Sequence, residues 1–168
     1  ITFVEIGVHN GGSLEIWKKL FGANSTIIGI DNNPDCKKFE EFGVKIEIGN
    51  QADPLFWKSF FNKYNQVDII LDDGGHTNAQ QIVTAYECIP NIKDGGLLIT
   101  EDTHTSYQKI FANPSKYSFI SFSKKIIDDV NYKNPDIGKK ISSLNEYIYS
   151  TQFFDSIVAF KIDRNKCN

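Results

Sequence analysis

The sequence predicts a doubly wound α/β fold with a mostly parallel, seven-stranded sheet and an antiparallel hairpin at its C-terminal end. Three observations lead to this prediction. Short runs of apolar residues alternate with segments whose apolar residues recur at helical spacing. The apolar runs are continuous, which is typical of parallel strands that are buried on both faces. The last part of the chain instead contains two strand-like runs joined by a tight turn.

Up to residue 102, the chain alternates between five predicted strands and four predicted helices. The strands are Ile1–Gly7, Thr26–Asp31, Val44–Ile48, Val67–Leu71 and Leu97–Thr100. The helices are Leu14–Phe21, Cys36–Phe42, Pro54–Tyr64 and Thr77–Ile89. Proline favours the first turn of a helix, which supports a start at Pro54. Gly95 and Gly96 are expected to turn the chain into the fifth strand, and right-handed crossovers are expected to join the parallel strands.

After residue 102 the pattern changes. A helix is expected from Ser106, followed by a loop rich in Asn, Asp and Pro around Asn131–Gly138. Ser143–Phe153 and Ser156–Ile162 are predicted strands of a hairpin at one sheet edge. The predicted turn of this hairpin is the dipeptide Phe154-Asp155.

Composition favours one globular domain over residues 1–168, since no repeat or linker divides the chain. Lys and Arg total 18 against 21 Asp and Glu, a net charge of -3, which disfavours nucleic acid as the main partner. No apolar stretch approaches the roughly 20 residues of a membrane span, and no leader pattern opens the sequence. A cytoplasmic location without a membrane span is therefore expected.

The three cysteines, Cys36, Cys88 and Cys167, are widely spaced and are interpreted as free thiols. The chain contains no Met and begins inside an apolar run at Ile1. We therefore expect an upstream segment to precede it. A homo-oligomer is compatible with this expectation, and its contacts would lie partly in that segment.

A glycine-rich loop follows the first predicted strand and reads Glu5-Ile6-Gly7-Val8-His9-Asn10-Gly11-Gly12-Ser13. Ligands of open α/β sheets bind at the carboxyl ends of the strands, where glycine allows close approach to the backbone. Ser13 is predicted to cap the next helix, whose N-terminus offers donors to a carboxylate. The spacing does not match G-x-G-x-x-G or a P-loop, which disfavours nicotinamide and flavin cofactors. A glycine turn that binds nothing is the alternative.

Polar residues also follow the second and third strands. Asp31 lies roughly 20 residues beyond the glycine loop, where an acid accepts hydrogen bonds from ribose hydroxyls. Asn50 and Gln51 are placed to contact an adenine edge, whereas Asp53 before Pro54 is better explained as a helix cap. A surface Asp is the alternative for Asp31. Together, the glycine loop and the acid favour a cofactor that contains a nucleoside.

Carboxylates are concentrated after the fourth and fifth strands, in Asp72-Asp73-Gly74-Gly75-His76 and Glu101-Asp102-Thr103-His104. Four carboxylates at the ends of neighbouring strands repel one another unless a cation offsets their charge. Oxygen ligands without thiolates select hard ions, so Mg²⁺ or Mn²⁺ is expected. His76 can approach the same site without being a ligand. For each acid alone, a helix cap or a solvated loop charge is the alternative. His104 is interpreted as a residue behind the ligands or one without a role, and His9 as a polar residue of the glycine loop.

In this order, the motifs resemble those of the class I S-adenosylmethionine-dependent methyltransferases. The resemblance is to a metal-dependent branch that includes macrolide-sugar O-methyltransferases and cephalosporin-hydroxylase-like proteins, with a Rossmann-like fold. It runs from Phe3 to about Asp102 and resumes at Phe153-Phe154-Asp155-Ser156-Ile157-Val158. The motifs that carry it are Glu5-x-Gly7-x-x-x-Gly11, Gly12-Ser13-Leu14, Gly29-Ile30-Asp31, Gly49-Asn50-Gln51, Asp72-Asp73-Gly74-Gly75-His76 and Glu101-Asp102.

The resemblance implies a role for each matching residue. Asp73, Glu101 and Asp102 would be ligands of Mg²⁺ or Mn²⁺, and His76 would be the general base. Asp31 would bind the ribose of S-adenosylmethionine. The other residues implied in cofactor binding are Glu5, Gly7, Asn10, Gly11, Ser13, Asn50, Gln51 and Asp72. Asn50 stands where relatives commonly have Asp, and the relatives carry additional N-terminal structure.

The implied reaction is transfer of the methyl group of S-adenosylmethionine to an oxygen of a small-molecule, nucleotide-linked or glycan acceptor. That oxygen would belong to a sugar hydroxyl, or to a phosphoramidate or phosphate of a capsular polysaccharide precursor. The metal would lower the pKa of the hydroxyl while His76 accepts its proton. Tyr107, Phe111, Tyr117 and Phe119 are candidates for an acceptor pocket, with a packing role as the alternative. The rival functions are a non-catalytic S-adenosylmethionine-binding module and, less favoured, a nicotinamide-dependent oxidoreductase.

Overall fold

The computed structural model describes residues 1–111, 117–131 and 144–167. Within these ranges, one sheet contains seven strands: β1 (Thr2–Ile6), β2 (Thr26–Asp31), β3 (Lys45–Ile48), β4 (Val67–Asp72), β5 (Ile92–Thr100), β6 (Ile148–Phe154) and β7 (Ile157–Ile162). Their order across the sheet is β3-β2-β1-β4-β5-β7-β6. The first five strands are parallel, and β7 pairs antiparallel with both β5 and β6. The predicted doubly wound fold with a C-terminal hairpin is confirmed.

The α-helices in the described part of the chain are α1 (Gly12–Phe21), α2 (Pro54–Tyr64), α3 (Asn78–Cys88) and α4 (Phe119–Asn131). A 3₁₀ segment, Pro34–Phe42, connects β2 to β3. None of the helices in these ranges is long and apolar enough to cross a membrane. Strand order reverses between β1 and β4, and this switch point brings the loops after β1, β2 and β4 to one edge.

Two apolar cores lie on opposite faces of the sheet, because successive side chains of a strand point in opposite directions. In β1, Phe3 belongs to one core and Val4 to the other. The larger core contains aromatic residues of α2 and α4, and Trp57 is fully buried there. The smaller core includes Leu14 of α1 and Phe39 of the 3₁₀ segment. The sheet is therefore covered on both sides, as the continuous apolar strands predict.

The start of the fifth strand differs from the prediction. β5 begins at Ile92, so Gly95 and Gly96 lie inside the strand rather than before it. Its pairing with β4 is irregular, since Val67 is opposite Ile92 while Ile69 is already opposite Leu97. The two glycines sit in this bulge, and Gly95 has a φ of +86° that other residues rarely adopt.

The C-terminal region also differs in its boundaries. A 3₁₀ turn, Thr103–Tyr107, replaces the helix predicted from Ser106, and α4 begins only at Phe119, whose N–H donates to the Asn78 side chain at 2.8 Å. β6 begins at Ile148 because residues 144–147 form a turn, and the hairpin turn is at residues 155–156. Beyond Asn131, which ends α4, the predicted Asn131–Gly138 loop lies outside the described residues.

Candidate active site

A polar cavity of about 780 Å³ opens at the carboxyl ends of the parallel strands. Its walls come from the loops that follow β1, β2, β3 and β4. The predicted site residues that line it are Gly7, Asn10, Asp31, Asn50, Gln51, Asp73 and His76. The volume lies within the range of small-molecule sites, so we refer to it as the switch-point cavity.

Gly7 lets the loop after β1 contact the backbone of the loop after β4. Its φ is +93°, and a Cβ at this position would lie 2.1 Å from the carbonyl oxygen of Asp73. The Gly7 N–H also donates to the Ile30 carbonyl at 2.8 Å. Glycine is therefore required here by the approach of the Asp73 loop, in addition to any ligand that enters the cavity.

Asp31 holds the glycine loop from the end of β2. Its Oδ2 accepts hydrogen bonds from the N–H groups of Val8 at 2.9 Å and His9 at 3.2 Å, and its Oδ1 accepts from Asn33 at 2.9 Å. Burial raises the pKa of the Asp31 carboxyl, but these backbone donors outweigh burial and lower it below its usual value. Asp31 is therefore an ionised acceptor at the cavity wall.

Glu5 and Ser13 contact each other behind the cavity wall. Ser13 Oγ donates to Glu5 Oε2 at 2.7 Å, and Trp17 Nε1 donates to Glu5 Oε1 at 2.9 Å. The prediction that Ser13 caps α1 is wrong, because Gly11 is the N-cap residue and the serine hydroxyl bonds to Glu5. Burial, and next the charges of Asp73 and Glu101, raise the pKa of the Glu5 carboxyl despite these hydrogen bonds.

Three of the residues implied in cofactor binding, Glu5, Gly11 and Ser13, are thus absent from the residues that line the switch-point cavity. Gly11 packs against Phe39 so closely that a Cβ would lie 2.5 Å from its ring. Ser13 and Trp17 supply the two donors that the buried Glu5 carboxyl needs. The cofactor contacts that the resemblance implies for Glu5, Gly11 and Ser13 stay predictions.

Asp72 is likewise buried beneath the cavity, with 1% of its surface exposed. Its Oδ1 accepts hydrogen bonds from Gln51 Nε2 at 2.9 Å and from the Gly74 N–H at 3.3 Å. Burial raises the pKa of Asp72 to about 7. Asp72 is not among the residues that line the switch-point cavity. The contact with the cofactor that the resemblance implies for Asp72 stays a prediction.

Asn50 and Gln51 occupy different environments after β3. The exposed Asn50 accepts the Ala52 N–H at 2.9 Å and lines the cavity. Gln51 is only 5% exposed, and both ends of its amide are engaged within the protein. Asp53 accepts the Leu55 N–H at 2.9 Å, which confirms the predicted helix cap.

An acidic cluster lies beside the cavity, and we define it as Asp73, His76 and Asp102. Each of these residues places one ligand atom within 4.8 Å of those of the other two. His76 Nε2 lies 3.4 Å from Asp102 Oδ2. Burial raises the pKa of Asp73, His76 opposes this shift, and the Asp102 charge adds to it. This excess of negative charge is what a bound cation would relieve.

The backbone of the acidic cluster is held by Thr105. Its Oγ1 lies 2.9 Å from the His76 carbonyl oxygen and 2.8 Å from that of Asp102. Asp102 has a φ of +52°, which is uncommon outside glycine and is typical of functional loops that the surrounding structure constrains. No motif in the sequence indicates this role of Thr105.

Glu101 stands next to the acidic cluster without being one of its three members among the described residues. Burial raises the pKa of the Glu101 carboxyl, and the charges of Asp73 and Asp102 raise it further. The Glu101 carboxyl therefore interacts electrostatically with both acids. The structure adds His76 to the candidate ligands, a possibility that the sequence interpretation, which treats His76 as a base, left aside.

The candidate acceptor-pocket residues separate into two groups. Phe111 packs edge-on against His76 with ring centroids 5.9 Å apart, and Tyr107 and Tyr117 are about 70% exposed or more. Phe119 is fully buried against Phe160, so its role is packing, the alternative stated for it.

No family model matches the chain. It is 31% identical over 143 residues to 8-demethyl-8-alpha-L-rhamnosyl tetracenomycin-C 2'-O-methyltransferase of Streptomyces olivaceus, covering 79% of this chain and 37% of that protein. It is also 31% identical over 145 residues to mycinamicin VI 2''-O-methyltransferase of Micromonospora griseorubida, covering 79% of this chain and 36% of the relative.

Among solved structures, MycE methyltransferase from the mycinamycin biosynthetic pathway, in complex with Mg and SAH, superposes with a TM-score of 0.87 at 25% identity. That match covers 98% of this chain and 46% of MycE. The chain shares the class I S-adenosylmethionine-dependent methyltransferase fold. The predicted resemblance to sugar O-methyltransferases is confirmed. The chain spans less than half the length of each of these relatives.

Proposed function

We propose that this chain belongs to a divalent-metal-dependent O-methyltransferase that transfers the methyl group of S-adenosylmethionine to a sugar hydroxyl. The observation that carries the proposal is the continuity of the switch-point cavity from Asp31 to Asp73 and His76, two members of the acidic cluster. Similarity to enzymes that are named as O-methyltransferases of rhamnosyl and mycinamicin compounds supports the reaction class.

The donor set of the acidic cluster fits a hard divalent cation. It offers two carboxylates and one imidazole, without thiolates, from Asp73, Asp102 and His76. Asp73 and Asp102 would hold the ion, with Glu101 beside them as the third acid that the resemblance implies. When bound, Mg²⁺ or Mn²⁺ supplies Lewis acidity that lowers the pKa of an acceptor hydroxyl.

The switch-point cavity fits S-adenosylmethionine, whose adenosine carries ribose hydroxyl donors. Asp31 is ionised and retains acceptor capacity beyond its three backbone donors, so it would accept the ribose hydroxyls. Asn50 lies at the wall where adenine is expected. S-adenosylmethionine, when bound, supplies the methyl group as a sulfonium. MycE, crystallised with Mg and SAH, is consistent with both groups.

His76 would act as the general base of the transfer. Its imidazole is held between Asp102 on the Nε2 side and the Phe111 ring, and its backbone is held by Thr105. The ring nitrogen of His76 that does not face Asp102 would receive the proton of the sugar hydroxyl, and the Asp102 carboxylate beside Nε2 would stabilise the resulting imidazolium.

The proposal is tested by calorimetric titration of the chain with S-adenosylhomocysteine and with NAD⁺, each with Mn²⁺ and then with EDTA. We expect S-adenosylhomocysteine to bind and NAD⁺ not to bind. Turnover is then assayed by mass spectrometry with methyl-deuterated S-adenosylmethionine and nucleotide-linked or glycosidic sugars. Binding of NAD⁺ instead would favour the oxidoreductase, and cofactor binding without turnover on any acceptor would favour the non-catalytic module.

Capsular polysaccharide precursors form the second acceptor class to be assayed. Their phosphoramidate or phosphate oxygens are hard donors that suit the same divalent ion. We expect the sugar hydroxyl to be methylated preferentially because His76 provides a base, which a hydroxyl requires and an ionised phosphate does not. If the phosphate or phosphoramidate oxygen is methylated faster than the sugar hydroxyl, the proposal that the acceptor is a sugar hydroxyl is wrong.

A further inference from the structure

Gln51 joins the switch-point cavity to the loop that carries Asp73 and His76. Its side-chain Oε1 accepts the Gly75 N–H at 2.6 Å, and its Nε2 donates to Asp72 Oδ1 at 2.9 Å. Nε2 also lies 3.2 Å from Thr84 Oγ1 on α3. The carboxamide therefore bonds to Asp72 at the end of β4, to Gly75 in the loop that follows, and to Thr84 on α3.

The backbone of Gln51 is anchored as firmly as its side chain. The fully buried Trp57 donates its Nε1–H to the Gln51 carbonyl oxygen at 2.8 Å. Trp57 belongs to α2, which packs in the larger core. Gln51 is thus held from behind by the core and holds the Gly74–Gly75 backbone in front of it.

The loop approaches Gln51 closely at Gly74. A Cβ on Gly74 would lie 2.3 Å from Gln51 Oε1 and 2.7 Å from Ile6. Glycine at position 74 consequently permits the Gln51 amide to reach the backbone of the loop. The position of the amide fixes the path of the chain between the two cluster residues.

We infer that Gln51 is a positioning residue of the acidic cluster, which sets the spacing of Asp73 and His76 through the Gly74–Gly75 backbone. This inference rests on the proposed function. It differs from the adenine contact that the resemblance implies, because both ends of the amide are already bonded within the protein and 5% of the residue is exposed. Both hydrogens of Nε2 are directed to acceptors of the protein, Asp72 and Thr84, so the amide has no free donor for a base edge.

The substitution Gln51→Met tests the inference, because it keeps the side-chain length and removes both polar ends. We expect the affinity for Mn²⁺, titrated by electron paramagnetic resonance, to fall about 10- to 100-fold, as for other residues that support metal ligands. The affinity for S-adenosylhomocysteine is expected to change less than about threefold, which is under 1 kcal/mol. The matched control is Asn50→Ala, which should weaken S-adenosylhomocysteine binding and leave Mn²⁺ binding unchanged.

Loss of S-adenosylhomocysteine affinity in Gln51→Met, with Mn²⁺ affinity unchanged, would overturn the inference and support the adenine contact. Absence of Mn²⁺ binding in the unsubstituted protein would instead refute the proposed metal site. Amide hydrogen exchange of Gly75 separates the two cases, because it does not require the metal. Faster Gly75 exchange in Gln51→Met supports the positioning role, and unchanged exchange contradicts it.

A second variant covers the case in which Gln51→Met does not fold. Gln51→Glu places a carboxylate against Asp72, so we expect lower Mn²⁺ affinity than in the unsubstituted protein. Combining it with Asp72→Asn restores an amide-to-carboxylate hydrogen bond in the reverse direction. Recovery of Mn²⁺ affinity in the double variant supports the inference, and equal losses in the single and double variants contradict it.

Discussion

The hydroxyl of Thr105 lies 2.9 Å from the carbonyl oxygen of His76, although 29 residues separate them in the sequence. This contact joins the loop after β4 to the loop after β5. Thr105 is 2% exposed, so its hydroxyl forms this contact within the protein. The alignment of the acidic cluster therefore depends on a residue that belongs to none of its motifs.

We expect Thr105→Val to lower the free energy of unfolding by about 1–3 kcal/mol, because the partly buried His76 carbonyl loses its hydroxyl donor. Mn²⁺ affinity should fall as well, since the two loops are no longer joined. Urea unfolding and Mn²⁺ titration measure the two effects. Thr100→Val is the matched control, because the buried Thr100 hydroxyl has no hydrogen-bond partner in the described structure. A loss as large in Thr100→Val would contradict the assignment.

We expect the free energy of unfolding to fall as the pH rises toward 7, because Asp72 ionises at a lower pH in the unfolded chain than in the folded protein. Its pKa is raised by burial from 3.8 to about 7, so the folded protein binds one proton more than the unfolded chain between these values. The protonated Asp72 contributes fully to the free energy of unfolding at low pH. Between pH 3.8 and about 7 this contribution falls by about 1.4 kcal/mol per pH unit, and above pH 7 it no longer changes.

Asp72→Asn tests this dependence, because the amide is neutral at every pH. Urea unfolding is measured at intervals between pH 5 and pH 8 with EDTA present, so that metal binding does not contribute. The difference in unfolding free energy between the variant and the unsubstituted protein should increase in favour of the variant as the pH rises. A difference that is constant with pH would show that Asp72 is ionised in the folded state.

The roles of His76 and Asp73 are expected to separate in single variants. His76→Ala should reduce kcat by about 10²- to 10⁴-fold, the usual contribution of a general base. Its affinities for S-adenosylhomocysteine and Mn²⁺ should remain close to those of the unsubstituted protein. Asp73→Ala should abolish Mn²⁺ binding and retain cofactor binding. A collapse of Mn²⁺ affinity in His76→Ala would identify His76 as a ligand, which its position in the acidic cluster allows.

Gly7→Ala should disrupt the cavity and the acidic cluster together. The new Cβ would lie 2.1 Å from the Asp73 carbonyl oxygen, and the φ of +93° strains any other residue. We expect a destabilisation of at least about 1–3 kcal/mol from the backbone strain, with parallel losses of S-adenosylhomocysteine and Mn²⁺ affinity. Gly12→Ala is the control, since nothing lies within 4 Å of its Cβ position and α1 should tolerate alanine. Equal thermal stability of both variants would refute the close approach of the two loops.

The sequence by itself determined the succession of the strands along the chain and the edge at which the polar motifs meet. β2 at Thr26–Asp31 and α2 at Pro54–Tyr64 have the predicted bounds. These features follow from local patterns, because apolar runs, helical spacing and a proline at the first turn act on neighbouring residues. A doubly wound sheet then places the ends of its parallel strands together whatever the loops contain.

Only the tertiary structure decided which polar groups form hydrogen bonds with each other. Ser13 bonds to Glu5 instead of capping α1, Gln51 bonds to Asp72 and Gly75, and Thr105 supports His76. Each of these contacts joins residues from different loops or elements. Most buried polar groups form hydrogen bonds, and which partner is available depends on how the loops pack rather than on the local sequence pattern.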